Sequence, residues 1–317
     1  MAMSRALIEE AAKALAAEGE LTRQLGAELT DADAARIVWV GWTVKDVLGH
    51  VGASFGGLLR RMQGTPAPAG QPTTLDELNE LRRAERADWP LARVLEEIER
   101  GRNALLAFVA GLGDAAAARP VRMSAYTAPL WRIAWVASSH ERGHRRDVER
   151  ALGRGRPGGE VAWLNVSKGG VPKLPVFRAA LGELGLAGDG HNLRTHGGPT
   201  AALCLFSLEV IQALQREGHP IYPGAVGENV TVSGLDWAQL RPGDRLRVGP
   251  AVVELTRFTT PCATIKGAFA GGEFDRIHAA KHPGQARLYA SVVVGGPITV
   301  GDPVESLPSE RPSQAAP

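Results

Sequence analysis

Three histidines in the first half of the sequence have the type and spacing that a metal site requires. His140 and His144 are four residues apart, so on a helix both imidazoles project from one face, one turn apart. His50 lies about ninety residues earlier, just after Val47 on the apolar side of another predicted helix. Three inward imidazoles from two helices can hold a divalent metal and leave a position for water or substrate.

A metal held in this way would lower the pKa of a bound water or stabilise a thiolate. We therefore predict that His50, His140 and His144 bind a divalent cation. Asp147, close to them in the sequence, is a weaker candidate that would orient an imidazole from outside the ligand set. The alternative is that each histidine is an ordinary hydrogen-bonded core residue.

The second candidate for chemistry is Cys262, which follows a predicted strand in the sequence TTPCATI. A cysteine at a strand end after Thr, Thr and Pro is expected on an exposed turn, where its thiol can react. Arg257 and Lys266 are the cations near it in the sequence that could lower its pKa. Cys204 lies among apolar residues in AALCLFSL, so we predict that it packs in the core.

Glycine-rich segments of the second half could bind an anionic cofactor. They read GDGHNLRTHGGP (188–199), YPGAVGENVTVSGL (222–235) and LRPGDRLRVG (240–249). Backbone N–H groups that glycine exposes, together with cationic side chains, can hold a phosphate-bearing pterin. The predicted cofactor-binding residues are Lys173, Arg194, His196, Gly197, Glu228, Asn229 and Arg257. The PGD and VSG turns within these segments are interpreted as barrel corners.

The elements that must position these residues change character near residue 153. Before it, apolar residues recur at helical spacing, which predicts an up-and-down four-helix bundle over 1–152. After it, short β-branched runs between turn residues predict a β-barrel over 160–307. The segment GRGRPGG (153–159) is predicted to be a linker, and the Pro- and Ser-rich 308–317 a disordered tail. The fold class is thus multidomain, α followed by β.

Individual elements follow from the same patterns. We predict helices over about residues 3–18, after Thr43 as N-cap, over 74–112 in one or two pieces, and over 129–152. The predicted strands are 161–167, 229–234, 245–249, 251–258, 288–294 and 304–307, with one helix at 208–216.

The composition excludes several classes of protein. With 36 Lys and Arg against 34 Asp and Glu in 317 residues, nothing indicates a nucleic-acid partner. No apolar run approaches the roughly 20 residues of a membrane span. Two cysteines cannot build a disulfide framework and suit a reducing compartment. We expect a soluble cytoplasmic protein that binds neither nucleic acid nor membrane, with a homodimer as its expected assembly.

The first half resembles a family of metal-binding bundles. The segments that carry the likeness are WTVKDVLGHV (42–51) and HERGHRRDVERAL (140–152). They look like those of the DinB-like bundle, which includes the mycothiol-dependent maleylpyruvate isomerases and the N-terminal domains of sulfoxide synthases. The resemblance covers about residues 5–152. It implies a four-helix bundle in which the three histidines bind a divalent metal such as zinc, nickel or iron, and a low-molecular-weight thiol as substrate.

The second half carries a series of motifs in a fixed order. They are GVPKLPV (170–176), HGGP (196–199), PGAVGENVTVSGL (223–235), LRPGDRLRVG (240–249), PC (261–262) and YASVVVGGPITVGDPVE (289–305). This order resembles the MOSC domain, named for the C-terminal part of molybdenum-cofactor sulfurases, over about residues 158–307.

The resemblance to the MOSC domain implies a β-barrel with a reactive cysteine. Cys262 occupies the position that in the family carries sulfur or ligates molybdenum, and family-level descriptions also include pyridoxal phosphate binding. The chain departs from the family just before this cysteine, where an arginine is common and Thr259-Thr260 stands here. This departure weakens the prediction of pterin binding and leaves the thiol chemistry open.

Three functions remain open at this point. In the first, the chain binds molybdenum cofactor or carries sulfur on Cys262. In the second, a metal in the bundle activates a small thiol for S-transfer or C–S bond chemistry, and the barrel handles the substrate or its sulfur. In the third, both halves only bind ligands. The expected partner is accordingly a small-molecule thiol or a pterin-type ligand.

Overall fold

The computed structural model describes residues 2–123, 126–192 and 197–308. The chain divides into two units, Met1–Arg156 and Pro157–Pro317. Among the helices of the described ranges, none combines the length and the apolar character that a membrane crossing requires.

The first unit is helical, with short strands in its connections. Its elements in chain order are α1 (Ala2–Glu28), α2 (Asp31–Ala34), β1 (Ile37–Trp39), β2 (Trp42–Thr43), α3 (Val44–Gln63), α4 (Leu75–Ala84), α5 (Leu91–Ala110), α6 (Asp114–Ala118), β3 (Pro120–Arg122), β4 (Thr127–Pro129) and α7 (Leu130–Ala151).

The four long helices form the predicted bundle. α1 packs against α5 and α7, and α3 packs against the same two helices, so α1 and α3 occupy diagonal corners. The core is filled by large apolar side chains, each of which contributes roughly 1.5–3 kcal/mol when fully buried. Examples that are 2% exposed or less are Leu15, Leu48, Phe55, Ile98, Leu105, Ile133 and Trp135.

The helix that carries His50 has a capping box at its N-terminus and a left-handed glycine at its C-terminus. Thr43 Oγ1 accepts the Asp46 N–H at 3.2 Å, and the Asp46 carboxylate accepts the Thr43 N–H at 2.9 Å. This reciprocal capping box confirms the predicted N-cap of α3. Gly64, with φ of 76°, ends the helix in the left-handed conformation that glycine adopts without strain.

The second unit contains twelve regular elements in its described residues. They are β5 (Gly159–Val166), β6 (Leu174–Val176), β7 (Arg178–Gly182), β8 (Gly185–Leu186), β9 (Leu203–Ser207), α8 (Leu208–Arg216), β10 (Val230–Ser233), β11 (Arg245–Val248), β12 (Ala251–Phe258), β13 (Leu288–Val294), β14 (Gly296–Thr299) and β15 (Pro303–Ser306). Short 3-10 helices lie at Pro199–Ala201, Trp237–Gln239, Ala263–Ala268, Ala270–Gly272 and Phe274–Ile277.

Seven of these strands close into the predicted barrel. Their order is β10-β9-β13-β12-β11-β15-β5, and β5 pairs with β10 to complete the ring. β6 extends the pairing of β5, while β14, β7 and β8 form a separate small sheet. In β12, Ala251, Val253 and Leu255 are buried at every second position, as expected for a strand with one face on a core. Closure removes the free edges of the sheet.

Candidate metal centre and cysteine pocket

The three predicted histidines converge inside the bundle. His50 projects from α3, and His140 and His144 project from one face of α7. The Nε2 atoms of His50 and His140 are 3.1 Å apart, and those of His140 and His144 are 3.2 Å apart. Bonds of 2.0–2.1 Å to a tetrahedral zinc ion require ligand nitrogens roughly 3.3 Å apart. The donor set therefore fits a divalent metal.

Burial keeps two imidazoles of this cluster, those of His50 and His140, neutral. The pKa of His50 is lowered to about 3, chiefly because burial penalises the charged ring, with further contributions from His144 and Arg82. The pKa of His140 is also held well below its usual value by burial and then by its two neighbours. A neutral imidazole is the form that binds a metal. Near neutral pH, His50 and His140 are thus in the ligating form.

Two tryptophans and a carboxylate surround the histidine cluster. The Trp39 ring lies edge-on to His144 at 5.2 Å between centroids, and Trp42 lies edge-on to His50 at 5.9 Å. Asp147 Oδ2 is 3.4 Å from His144 Nδ1. This distance lies within ion-pair range, although His144 Nδ1 has no hydrogen-bond partner among the described residues. The motif WVGW holds both tryptophans, and sequence reasoning assigned them no role.

Cys262 lies on the turn between β12 and the 3-10 helix Ala263–Ala268, and it is exposed. Its Sγ is 3.4 Å from Thr264 Oγ1. The Thr264 hydroxyl is the main cause that lowers the pKa of this thiol, and the charge of Arg287 adds to it. A larger fraction of Cys262 is thus ionised at neutral pH than of an ordinary cysteine.

Cys262 opens onto a pocket of about 250 Å³ in the second unit. Two of the predicted cofactor-binding residues, Lys173 and Asn229, line this pocket. Cys204, Arg287 and Tyr289 also lie in its wall. Cys204 is buried as predicted, and burial raises the pKa of its thiol to about 11. Cys262 is therefore the more acidic of the two cysteines.

Lys173 does not present a free charge to the pocket. Its Nζ lies 2.6 Å and 2.5 Å from the two carboxylate oxygens of Asp189. Asn229 Nδ2 donates to Asp189 Oδ2 at 2.8 Å, and the Ser167 N–H donates to Oδ1 at 2.9 Å. Asp189, which sequence reasoning missed within GDGH, thus neutralises Lys173 and ties three segments of the pocket wall together.

Arg287 supplies the positive charge that the sequence led us to expect from Arg257 and Lys266. It is 7% exposed and donates through Nη1 to Val226 O, while its Nε has no hydrogen-bond partner in the described part of the chain. The Thr259 N–H donates to Arg287 O at 2.9 Å, which brings the arginine beside the Cys262 turn. The sequence feature that could have indicated this role is the position of Arg287 directly before the predicted strand 288–294.

Two predicted cofactor-binding residues lie elsewhere. Arg257 is exposed, and its guanidinium lies 4.7 Å from the centroid of the Tyr289 ring, outside the described lining of the pocket. Glu228 is 0% exposed and accepts the Gly224 N–H at 2.6 Å and the Thr231 hydroxyl at 3.2 Å. Its carboxyl therefore organises the turn before β10, and Glu228 is not among the described lining of the pocket.

The glycine-rich segment 188–199 is described only in part. Gly197 has φ of 84°, and a Cβ there would lie 2.7 Å from His191 Nδ1, so the close approach requires glycine. His191 lines the pocket, whereas Gly197 packs against the His191 ring and is not among the described lining residues. Arg194 and His196 lie outside the described residues, and their roles stay predictions.

Comparison with known families agrees with this division of the chain. The family model of the DinB superfamily matches residues 14–148, and that of the MOSC domain matches residues 192–305. The chain carries a DinB superfamily domain followed by a MOSC domain. The histidine cluster lies in the DinB domain, and Cys262 lies in the MOSC domain.

Relatives match only part of the chain. It is 30% identical to the uncharacterized protein YflK of Bacillus subtilis (strain 168), over 44% of this chain and 63% of YflK. It is 28% identical to protein YiiM of Escherichia coli (strain K12), over 39% of this chain and 57% of YiiM. The chain therefore spans less than two thirds of either relative.

Solved structures are similar over comparable lengths. YiiM from Geobacillus stearothermophilus shares 25% identity at a TM-score of 0.39, over 47% of this chain and 75% of that protein. A mutant of the mycothiol-dependent maleylpyruvate isomerase shares 16% identity at a TM-score of 0.40, over 44% of this chain and 60% of that protein.

Proposed function

We propose that the MOSC domain binds a molybdenum cofactor, with Cys262 as the thiolate that ligates the metal. The observation that carries this proposal is an exposed thiol of lowered pKa at a pocket that also contains the buried Arg287. A soft thiolate suits a metal such as molybdenum. Arg287 Nε has no hydrogen-bond partner among the described residues, and this supports the fit, because a buried donor without an acceptor can serve an anionic ligand.

Each residue of the pocket then has a distinct task. The Thr264 hydroxyl stabilises the Cys262 thiolate. Arg287 binds an anionic part of the ligand, and the Lys173–Asp189–Asn229 network holds the pocket wall in place. When bound, the cofactor would supply redox or sulfur-transfer chemistry next to Cys262. We propose a reducing, cytoplasmic location, since this chemistry requires a free thiol.

Elemental analysis tests the molybdenum proposal directly. The full chain, purified from cells that make the cofactor and receive molybdate, is expected to contain molybdenum. Cys262→Ala is expected to lose it, while the matched control Cys204→Ala keeps it, because Cys204 is a buried thiol with a pKa of about 11. Molybdenum retained in Cys262→Ala, or absent from the unaltered protein, would contradict the proposal.

A second function is proposed for the DinB domain, in which a divalent metal ion activates a small thiol. The convergence of three Nε2 atoms, with His50 and His140 held neutral, supports this proposal. A bound divalent ion would supply the positive charge that keeps a thiol ionised at neutral pH. The Trp39 and Trp42 rings would limit the access of water to the cluster.

Metal content again provides the test. The double substitution His140→Ala and His144→Ala is expected to remove zinc, nickel or iron from the purified protein, since a single remaining imidazole holds such ions weakly. Cys262→Ala serves as the control and is expected to retain the first-row metal. An unchanged metal content in the double variant would exclude this site.

A further inference from the structure

The DinB domain contains a cavity of about 200 Å³ between α3 and α4, and its wall is rich in arginine. Arg60 of α3, Arg82 of α4 and Arg86 line it, together with the acidic residues Glu85 and Glu97. Three cations against two carboxylates give the cavity a positive excess. Gly52 and Ala53 of its lining follow His50 by two and three residues on α3.

Among the described residues, a close ion pair neutralises one of the three arginines, Arg86. Arg86 donates to both carboxylate oxygens of Glu97 at 2.7 Å, which is a bidentate pair. In the described part of the chain, the guanidinium groups of Arg60 and Arg82 make no hydrogen bond and no ion pair, and both residues are half-buried. Half-buried guanidinium groups without acceptors are the groups that bind anions.

The electrostatic surroundings of Arg82 are repulsive. Burial is the first cause that lowers its pKa, followed by the charges of Arg60 and Arg86, and the exposed Glu85 only partly opposes them. An anion in the cavity would relieve this repulsion. The fold thus holds Arg60, Arg82 and Arg86 close together, and a bound anion would offset the electrostatic repulsion between them.

Arg82 also lies on the same side of α3 as the metal-ligating His50. Gly57 is seven residues after His50, so it lies two turns further along one face, about 10 Å along the helix axis. A Cβ at Gly57 would lie 3.0 Å from Arg82 Nη2, so the guanidinium rests against this face.

We propose that Arg82, assisted by Arg60, binds a carboxylate on the small thiol whose sulfur meets the metal at the histidine cluster. The inference rests on the proposed thiol chemistry of the DinB domain and names the class of its substrate. The thiol carries an anionic group at a distance of about 10 Å or less from its sulfur, as set by the two helical turns between His50 and Gly57. Arg82 is a specificity-determining residue, since the fork of its guanidinium matches a carboxylate.

Two thiols of equal length provide the test. The full chain is loaded with Co²⁺ and titrated with 6-mercaptohexanoate and with its neutral analogue 6-mercapto-1-hexanol, and the thiolate-to-cobalt absorption reports binding. We expect the acid to bind about tenfold more tightly than the alcohol, as for a charge-assisted hydrogen bond. The variant that lacks His140 and His144 is expected to show no such band with either probe.

Substitutions then locate the carboxylate. Arg82→Gln is expected to abolish the preference for the acid without changing the affinity for the alcohol or the metal content. Arg82→Lys, which keeps the charge, is expected to restore part of the preference. Arg61→Gln is the matched control, because Arg61 is exposed and directed at Met123 Sδ.

The possible failures are distinguishable. If neither thiol produces the band, the thiol chemistry proposed for the DinB domain is wrong, and the inference falls with it. If both thiols bind equally well to the unaltered protein, the proposed function stands and the carboxylate site is wrong. A preference that survives in Arg82→Gln also overturns the role of Arg82.

Discussion

At the scale of single residues, the reactivity of Cys262 depends on two groups of different origin. Thr264 is two positions away, so its hydroxyl reaches the thiol through the local turn. Arg287 is distant in the sequence and arrives through strand pairing, because β13 pairs with β12 and with β9. The environment of the thiol is thus partly local and partly a product of the barrel.

The first prediction concerns the alkylation of Cys262. Since its pKa is lowered from 9.0, the pH midpoint for reaction with iodoacetamide is expected below that value. Thr264→Val removes the hydroxyl and is expected to move the midpoint upward, whereas Thr260→Val, on the same turn, leaves it in place. Peptide mass spectrometry across pH measures both. Cys204, with a pKa of about 11, is expected to stay unmodified over this range.

At the scale of elements, local signals place the helix that carries His50. The capping box of Thr43 and Asp46 fixes the start of α3, and therefore the direction in which His50 projects. The apolar face alone leaves the start of a helix uncertain by a residue or two. The cap therefore connects a sequence signal directly to the geometry of the metal centre.

The second prediction concerns this cap. Thr43→Ala is expected to reduce the stability of the DinB domain by about 1 kcal/mol, because an N–H at the start of α3 loses its acceptor. Thr65→Ala, just beyond the other end of α3, is the control and is expected to have no measurable effect. Urea denaturation followed by far-UV circular dichroism, which reports mainly on the helices, measures the difference.

The first helix shows where local signals fail. The prediction ended it at about residue 18, but α1 continues to Glu28. Its later turns bury polar groups: Glu18 is 5% exposed and accepts from Arg145 Nε at 2.5 Å, and Thr22 is 3% exposed. Apolar periodicity cannot detect a helix whose inward face pairs charges with another helix.

At the scale of the whole molecule, the stability of the MOSC domain is expected to depend on the protonation of one buried carboxyl, that of Glu228. In the MOSC domain, burial raises the pKa of Glu228, whose Oε2 has no hydrogen-bond partner among the described residues. At pH values between the pKa of Glu228 in the unfolded state and its higher pKa in the folded state, the folded protein binds this proton more strongly than the unfolded protein does. The stability of this domain therefore falls as pH rises through that window, starting near 4.5.

The third prediction follows from this sign. Glu228→Gln removes the titrating group, so the decline in stability above pH 4.5 is expected to become shallower. Glu183→Gln, an exposed glutamate of the same unit, is expected to leave the slope unchanged. Urea unfolding at several pH values, followed through tryptophan fluorescence, gives the slopes. Parallel profiles for Glu228→Gln and the unaltered chain would show that Glu228 is not responsible.

The sequence alone determined those features that depend on short separations along the chain. The spacing of His140 and His144 set both rings on one helix face, and the Thr-Thr-Pro-Cys segment predicted an exposed turn. The change from helical spacing to short β-branched runs determined the order of a bundle and a barrel. Each of these patterns reports the local backbone, which the next few residues largely decide.

Only the tertiary structure decided which distant side chains meet. Packing of α3 against α7 brought His50 to the other two histidines, and strand pairing brought Arg287 near Cys262. Tertiary contacts also pair Lys173 with Asp189. Arg82, in contrast, has no hydrogen-bond or ion-pair partner for its guanidinium among the described residues. Such contacts join residues far apart in the chain, and helix packing and strand register determine which side chains face each other. A single sequence carries no local signal for either.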